Sequence, residues 1–592
     1  MTRRPISGLA LCLGIALVAC APEHRRQDGE RVAPGNEVVA IADEYFDAWL
    51  ATFPEAGTSN GIRGANHAGV TDNSLDALAR WQARQDAWLE RLEAIDLEPI
   101  AGSDAAITAG ILLETLRAWR QRRVCRFELW GVDSYAVGWQ NTTTDLATIQ
   151  PVGTPELREA ALARARGLVG YVDTEIANLR AGLLQGLSAP RVIVESVVRQ
   201  LDDLLATSLA DSPFTSPARR DGDPAFREAL LAAVGDELLP AVRRYREFLA
   251  DEYVPAARES LGVSAHPDGL DCYRATVRFY STLDLDADQV FATGESEMAK
   301  IVAQMRAIGE RSFDTDEVAA LLTRARTDPA LAFASEQAVI DLAQAAIERI
   351  RPEVPEWFGI VPDAEVIIEP YPEFRQKAGA PGQYRAAPED GSRPGIFNIN
   401  PSSPRTRPRA GVEAITFHET YPGHHLQISI AAERTSAHPL RRFSYNSGFG
   451  EGWGLYAERL ADEMGAYGTE LDRLGLLSSE AWRAARLVID AGIHTRGWTR
   501  EQAVDYLRSH TTVAPREIEG EVDRYISWPG QGGSYMLGRL EILRLRERAR
   551  EGLGDGFDIR AFHDRVLEDG SVTLPMLAAK IERWIASERA GG

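Results

Sequence analysis

Apolar residues recur at helical spacing along most of the chain. In Trp81-Gln-Ala-Arg-Gln-Asp-Ala-Trp88-Leu-Glu-Arg-Leu92 the two tryptophans and Leu92 share one helix face, with charged residues on the other. Similar amphipathic runs occupy 104–122, 155–185, 225–250 and 286–308, so residues 38–350 read as a helical scaffold. Between Pro352 and Pro408 prolines and glycines become frequent, and two short β-like runs stand out: Glu365-Val-Ile-Ile-Glu369 and Gly395-Ile-Phe-Asn-Ile-Asn400. They predict a small sheet over 351–410, placed so that one strand could line a cleft and pair with an extended substrate backbone. From about Val412 to the end the helical pattern resumes, broken at Pro529-Gly-Gln-Gly-Gly533. The expected fold is mostly α, a large helical body over 38–592 with a small β-sheet beside its cleft.

The first twenty residues follow a different pattern. Arg3 and Arg4 precede an apolar run from Leu9 to Val18, and small Ala19 precedes Cys20. The run is well short of the ~20 residues a bilayer crossing needs, so it predicts a cleaved signal over 1–19. Leu17-Val18-Ala19-Cys20 resembles the lipobox of bacterial lipoproteins. That resemblance implies a lipid anchor on Cys20 and, with Ala21 following, the periplasmic face of the outer membrane. The polar segment from Ala21 to about Gly35 reads as a tether, with 20–37 outside the folded body.

Composition is that of a globular protein: 44% hydrophobic and 26% charged, over 592 residues. The formal charge of -22 argues against nucleic acid as a partner, because an acidic surface repels phosphates. Cys12 falls in the signal and Cys20 at the lipid site, which leaves Cys125 and Cys272. Their pairing cannot be read from spacing, and two thiols are too few for a cysteine metal site.

The chemistry concentrates at one place. The chain has 10 histidines, and His418, His424 and His425 fall in one eight-residue window beside Glu419. Histidine is the commonest metal ligand, and hydrolytic zinc takes three protein ligands and a water. The spacing is not that of H-E-x-x-H. His418 and His424 are six residues apart, about 600° of rotation, and His425 stands about 10.5 Å further along a regular helix than His418. Neither could share one ion with His418 on an unbroken helix. Pro422 and Gly423 supply the break, since proline lacks an N–H and clashes with the carbonyl four residues back. A kink there makes His424 the favoured second ligand and His425 the alternative or a supporting residue. A following helix offers Gly450-Glu451-Gly-Trp-Gly-Leu-Tyr-Ala-Glu458. Glu451, between two glycines that permit close approach, is expected as third ligand, and Glu458, seven residues on, as the group that orients a ligand histidine.

The strings at 418–427 and 451–458 resemble the bacterial family known as domain of unknown function 885. So do Pro394–Asn400, Arg486–His494 with Gly497-Trp498-Thr499, and Tyr525 with Pro529-Gly-Gln531 and Ser534-Tyr535. The resemblance runs from about residue 38 to the carboxyl end. It implies the helical gluzincin architecture of zinc metallopeptidases such as converting-enzyme-like and thimet-like peptidases. The second motif is also similar to the Asn-Glu-Gly-Phe-Ala segment of alanyl-aminopeptidase-like gluzincins, where the glutamate binds zinc, although Gly450 replaces the asparagine here. Gly454 and Gly532 stand where alanine is common, changes expected to be tolerated.

The expected activity is zinc-dependent hydrolysis of short peptides. Glu419 serves as general base beside a Zn2+ held by His418, His424 and Glu451. His494 and Tyr535, in the order of the oxyanion-stabilising His and Tyr of converting-enzyme-like peptidases, are the expected donors, with Tyr525 as reserve. Asn398 and Gln531 are expected to bind substrate. Two alternatives are a metal-dependent amidase or esterase on a non-peptide substrate, and a non-catalytic peptide-binding envelope lipoprotein.

Overall fold

The computed structural model describes residues 33–135, 137–371, 381–388, 391 and 393–591. The expected signal, Cys20 and most of the tether lie outside these residues. The first helix, Pro34–Thr52, starts inside the stretch expected as tether: Pro34 takes the first helical position, where its missing N–H is not needed. No described helix is long and apolar enough to cross a membrane.

Among the described residues the body is mostly helical with one three-stranded sheet. Amphipathic runs become helices because each has one face to bury. Leu75–Glu93 buries Trp81, Trp88 and Leu92 against the first helix, where Tyr45 meets Trp88 edge to face at 5.4 Å. Asp104–Arg122, Pro155–Leu183 and Ala287–Ser312 fall where periodicity places them. The 225–250 run is less regular: helices Pro224–Ala232 and Leu239–Glu247 alternate with wide π turns at Ala233–Leu238 and Phe248–Tyr253. Cys125 and Cys272 form a disulfide, tying the segment after Asp104–Arg122 to the helix Gly269–Ser281.

Two helix pairs frame the site. Glu470–Arg496 is buried continuously from Leu474 to His494 and packs along Ala287–Ser312. Ser447–Glu463 crosses Ser534–Leu553 at glycines: a Cβ on Gly452 would lie 2.5 Å from the Gly538 backbone. The glycines flanking Glu451 therefore serve contacts other than the one expected of them. Gly452 lets two helices touch, and Gly450 makes room for the Tyr445 ring, 2.5 Å from where its Cβ would stand.

The sheet runs in the order β1-β3-β2, with β1 Val366–Pro370, β2 Gly382–Arg385 and β3 Gly395–Ile399. β1 is parallel and β2 antiparallel to the central β3. The two apolar runs read from sequence are β1 and β3. β2 escaped that reading because its four residues, Gly-Gln-Tyr-Arg, lie in a proline- and glycine-rich stretch and alternate too briefly to show a period.

Candidate metal centre

Three separate helices deliver the cluster. Val412–Glu419 ends where Tyr421, a cis peptide and Pro422 follow, and a new helix, His424–Glu433, starts at His424 itself. The helix is thus interrupted outright rather than kinked. The chain turns so tightly that a Cβ on Gly423 would sit 1.9 Å from the His418 carbonyl oxygen, a position open to glycine alone. Trp453 Nε1 donates to the Pro422 carbonyl at 3.0 Å, anchoring the loop to the Glu451 helix. The turn brings the His418 and His424 rings together edge to face, 4.7 Å apart. Glu451 arrives from Ser447–Glu463, whose start is fixed by Asn446 accepting from the Phe449 amide.

The geometry is convergent. His418 Nε2 and His424 Nε2 lie 3.5 and 3.4 Å from the same Glu451 oxygen, Oε2. One ligand atom from each of the three residues falls within 4.8 Å of the other two. A tetrahedral zinc with bonds near 2.0 Å separates its ligands by about 3.3 Å, so the arrangement fits that ion. The outward nitrogens have other partners. His418 Nδ1–H donates to Glu458 Oε1 at 2.9 Å, which turns the Nε2 lone pair toward Glu451. His424 Nδ1 faces Gln427 Oε1 at 3.4 Å. Gly454 gives the His418 ring its place, since a Cβ there would come within 2.6 Å of Cε1.

Charge points the same way. Glu419, Glu451 and Glu458 lie in or against the cluster, and Arg483 lies 3.7 Å from Glu458. Burial disfavours the His418 imidazolium, but hydrogen bonds to Glu451 and Glu458 outweigh it and push the ring up to about 10. Burial likewise disfavours the Glu451 carboxylate, yet the two histidines hold it well below the usual range. A proton here does part of what a bound cation would do.

Glu419 follows directly on His418, and its Oε2 accepts the Tyr384 amide of β2 at 2.8 Å. The free edge of the sheet therefore faces the cluster. Asn398 is one strand away, paired across the central strand with Gln383 and Glu369. Gln531 lines a cleft of ≈ 310 Å³ that has Glu451 in its wall.

Other expected residues are placed elsewhere. His425 points away from the cluster: its Nε2–H donates to the Ala364 carbonyl at 3.1 Å and Nδ1 accepts from the Tyr384 hydroxyl at 3.0 Å. With both nitrogens engaged it braces the sheet against the His424 helix, and of the two histidines it is His424 that faces His418 and Glu451. His494 is the clearest correction. Its Nδ1 accepts from the Val263 amide (3.1 Å) and its Nε2–H donates to the Tyr525 carbonyl (2.8 Å), so nothing remains for an oxyanion. The Tyr525 hydroxyl is equally committed, donating to Glu521 and accepting from Trp482 and Arg486. Tyr535 does reach the site: its ring stacks on His418 at 6.4 Å, and Arg524 donates to its hydroxyl at 3.4 Å.

Two tyrosines went unread in the sequence. Tyr384 holds Glu419 through its amide and His425 through its hydroxyl. Tyr445, six residues before Glu451, lays its ring against Gly450 and lines the same cleft as Glu451, with 53% of its surface exposed. The signal available was the helix cap: Asn446 marks a helix start, and a residue just before it lies near the opening turns, the second of which holds Glu451.

Fold and site together define a helical protein with a buried His-His-Glu constellation beside a sheet edge. The chain belongs to the family of bacterial proteins of unknown function DUF885, whose profile matches residues 54–581. A solved protein of Colwellia psychrerythraea, described as a "putative lipoprotein", is 24% identical over 94% of this chain and 100% of its own, with a TM-score of 0.87. A second, from Shewanella oneidensis and described likewise with unknown function, is 18% identical over 92% and 99%, with a TM-score of 0.72. No curated protein matches the chain.

Proposed function

We propose that this protein is a zinc-dependent hydrolase of the gluzincin type that cleaves short peptides. The observation that carries the reading is the convergence of His418, His424 and Glu451 ligand atoms within 4.8 Å, with Glu419 adjoining. Zinc held there would supply Lewis acidity, polarising the scissile carbonyl and making a water acidic enough to lose its proton near neutral pH. Glu419 takes that proton and passes it to the leaving amine; the Tyr384 amide steadies one carboxylate oxygen and leaves the other to work. The β2 edge aligns an extended substrate backbone. Tyr445 and Tyr535 flank the cluster and take the oxyanion role expected of His494.

The test pairs metal analysis of the purified mature protein with mass-spectrometric mapping of a peptide library. Glu419→Gln is expected to keep stoichiometric zinc and lose about 10²–10⁴-fold in hydrolysis. Full activity in that variant removes Glu419 as base. Failure to take up zinc at all sinks the whole reading.

For location, the Leu17-Val18-Ala19-Cys20 string, the lipoprotein description of both structural relatives and the Cys125–Cys272 disulfide support a lipid-anchored protein of the oxidising envelope. Palmitate labelling that persists in Cys20→Ser would overturn the anchor.

A further inference from the structure

The cleft beside Glu451 has a wall of unusual regularity. Four aromatic rings form an unbroken edge-to-face series. Trp119 meets Phe279 at 5.0 Å and 77°, Phe279 meets Tyr280 at 5.0 Å and 83°, and Tyr280 meets Trp528 at 5.9 Å and 84°. Trp119, Phe279, Tyr280 and Trp528 all line the cavity, together with Tyr445 and Glu451. The series is pinned from behind: Trp528 Nε1 and Arg122 both donate to the Tyr280 hydroxyl. Two of the large apolar side chains most open to solvent, Trp119 at 42% and Tyr445 at 53%, open into this one cavity. Exposed aromatic surface gathered in one concave place, next to a candidate reaction centre, calls for something to cover it.

The chemistry of the walls selects the occupant. Among the described residues no lysine or arginine lines the cavity, so an acidic group finds no partner there. Glu114 lines it: its Oε2 accepts from Arg278 at 2.7 Å, its Oε1 has no hydrogen-bond partner, and burial raises the carboxyl toward its neutral form. Glu451, the other carboxylate in the wall, is engaged by His418 and His424, and at the rings Arg122 already lies 4.6 to 5.5 Å from the centroids of Phe279, Trp119 and Tyr280 and opposes a second positive charge. A neutral, large apolar group remains. The volume, ≈ 310 Å³, lies at the small end of ligand sites and suits one residue rather than a long polymer.

We propose that this cleft is the side-chain pocket for the substrate residue next to the scissile bond, and that it selects large neutral side chains, aromatic above all. The proposal rests on the hydrolase reading for the words "scissile bond", but the pocket itself is testable without catalysis. Tryptophan fluorescence of the full mature protein, metal-free and zinc-loaded, is followed during titration with blocked amino-acid amides. N-acetyl-phenylalaninamide is expected to bind about 30-fold more tightly than N-acetyl-glycinamide, from the area its ring would bury. The aspartate and lysine analogues should bind no better than glycine. Trp119→Ala, at a position 42% exposed, is expected to weaken the phenylalanine analogue at least about fivefold, and Phe279→Leu to do so less. A peptide library on the zinc-loaded protein should show cleavage next to Phe, Tyr, Trp or Leu. Selective binding of the phenylalanine analogue without any peptide cleavage upholds the pocket while the hydrolase reading fails. Cleavage that is indifferent to side-chain size, or tighter binding of the lysine or aspartate analogue, overturns the pocket even if zinc hydrolysis is established.

Discussion

Of the buried acid–base clusters among the described residues, two pair histidine with carboxylate in contrasting ways, and the first has the form of a site while the second does not. The first joins His418, His424, Glu451 and Glu458; the second joins Asp490, His494, Tyr273 and the backbone at Tyr525 and Gly530. Both combine imidazole with carboxylate in a dry setting. They differ in what is left over. In the first, Nε2 of each histidine and Oε2 of Glu451 face one another in a small volume, with no backbone partner. In the second, His494 spends both nitrogens on backbone groups, and Asp490 accepts from Tyr273 at 2.8 Å and from the Gly530 amide at 3.1 Å. Protonation follows the same divide. Histidine partners hold Glu451 ionised, whereas burial pushes Asp490 up to about 7 and His494 down to about 4. A histidine beside a carboxylate is therefore not enough to mark a reactive centre; an uncommitted lone pair is the distinguishing feature. The second cluster instead staples the glycine loop behind Gln531 to the long buried helix.

The sharpest way to break this contrast is to delete one histidine from each cluster. His424→Ala is expected to lower zinc affinity by more than the 10–100-fold typical of a supporting residue while the fold survives. If His425→Ala abolishes zinc uptake and His424→Ala does not, the ligand assignment is wrong. His494→Ala should show the opposite behaviour. It leaves the Val263 amide and Tyr525 carbonyl unpaired, at about 2–4 kcal/mol of stability, with zinc content unchanged. Denaturant unfolding and metal analysis read the two outcomes separately.

A smaller effect is expected of Glu458→Gln. The His418 ring keeps a partner but loses a charged one, and zinc affinity should fall about 10–100-fold. No change would reduce Glu458 to a packing residue.

Proton counting separates the clusters further. In the metal-free protein the His418 imidazolium is held up to about 10, above its ordinary 6.5, so its contribution to stability is complete below pH 6.5 and is lost as the pH rises through 10. Zinc must displace that proton, and calorimetry at pH 7–8 in buffers of differing ionisation enthalpy is expected to show about one proton released per zinc. Zero release contradicts the arrangement.

The smallest effect belongs to Asp490. Its carboxyl is raised from 3.8 to about 7, so its contribution is full below pH 3.8 and is lost as the pH climbs through 7. Between pH 5 and 6.5 the wild type should lose up to about 1.4 kcal/mol per pH unit relative to Asp490→Asn. Parallel stability curves would show that Asp490 is ionised throughout.

Much of this was legible before any coordinates. Long amphipathic periods located most of the helices because each helix must bury a stripe of its own residues. Strands β1 and β3 showed as β-branched runs, while β2 was too short to show. In the site, local rules reached His418, Glu419 and the break at Pro422-Gly423, since helix geometry forbids an unbroken H-E-x₄-H face. They misplaced His494 and Tyr525 in the reaction because a residue's type does not reveal whether its hydrogen-bonding capacity is already spent.

The sequence by itself determined the helical class, the need for a helix break between His418 and His424, and the residue types able to hold a metal. These follow from short-range sterics and side-chain chemistry. Only the tertiary structure decided that His424 rather than His425 turns inward, that Glu458 backs His418, that β2 presents its edge to Glu419, and that Tyr445 and the ring series at Trp119–Trp528 share one cleft with Glu451. Each of those facts joins residues tens to hundreds of positions apart, and such meetings are set by how helices cross rather than by any local pattern.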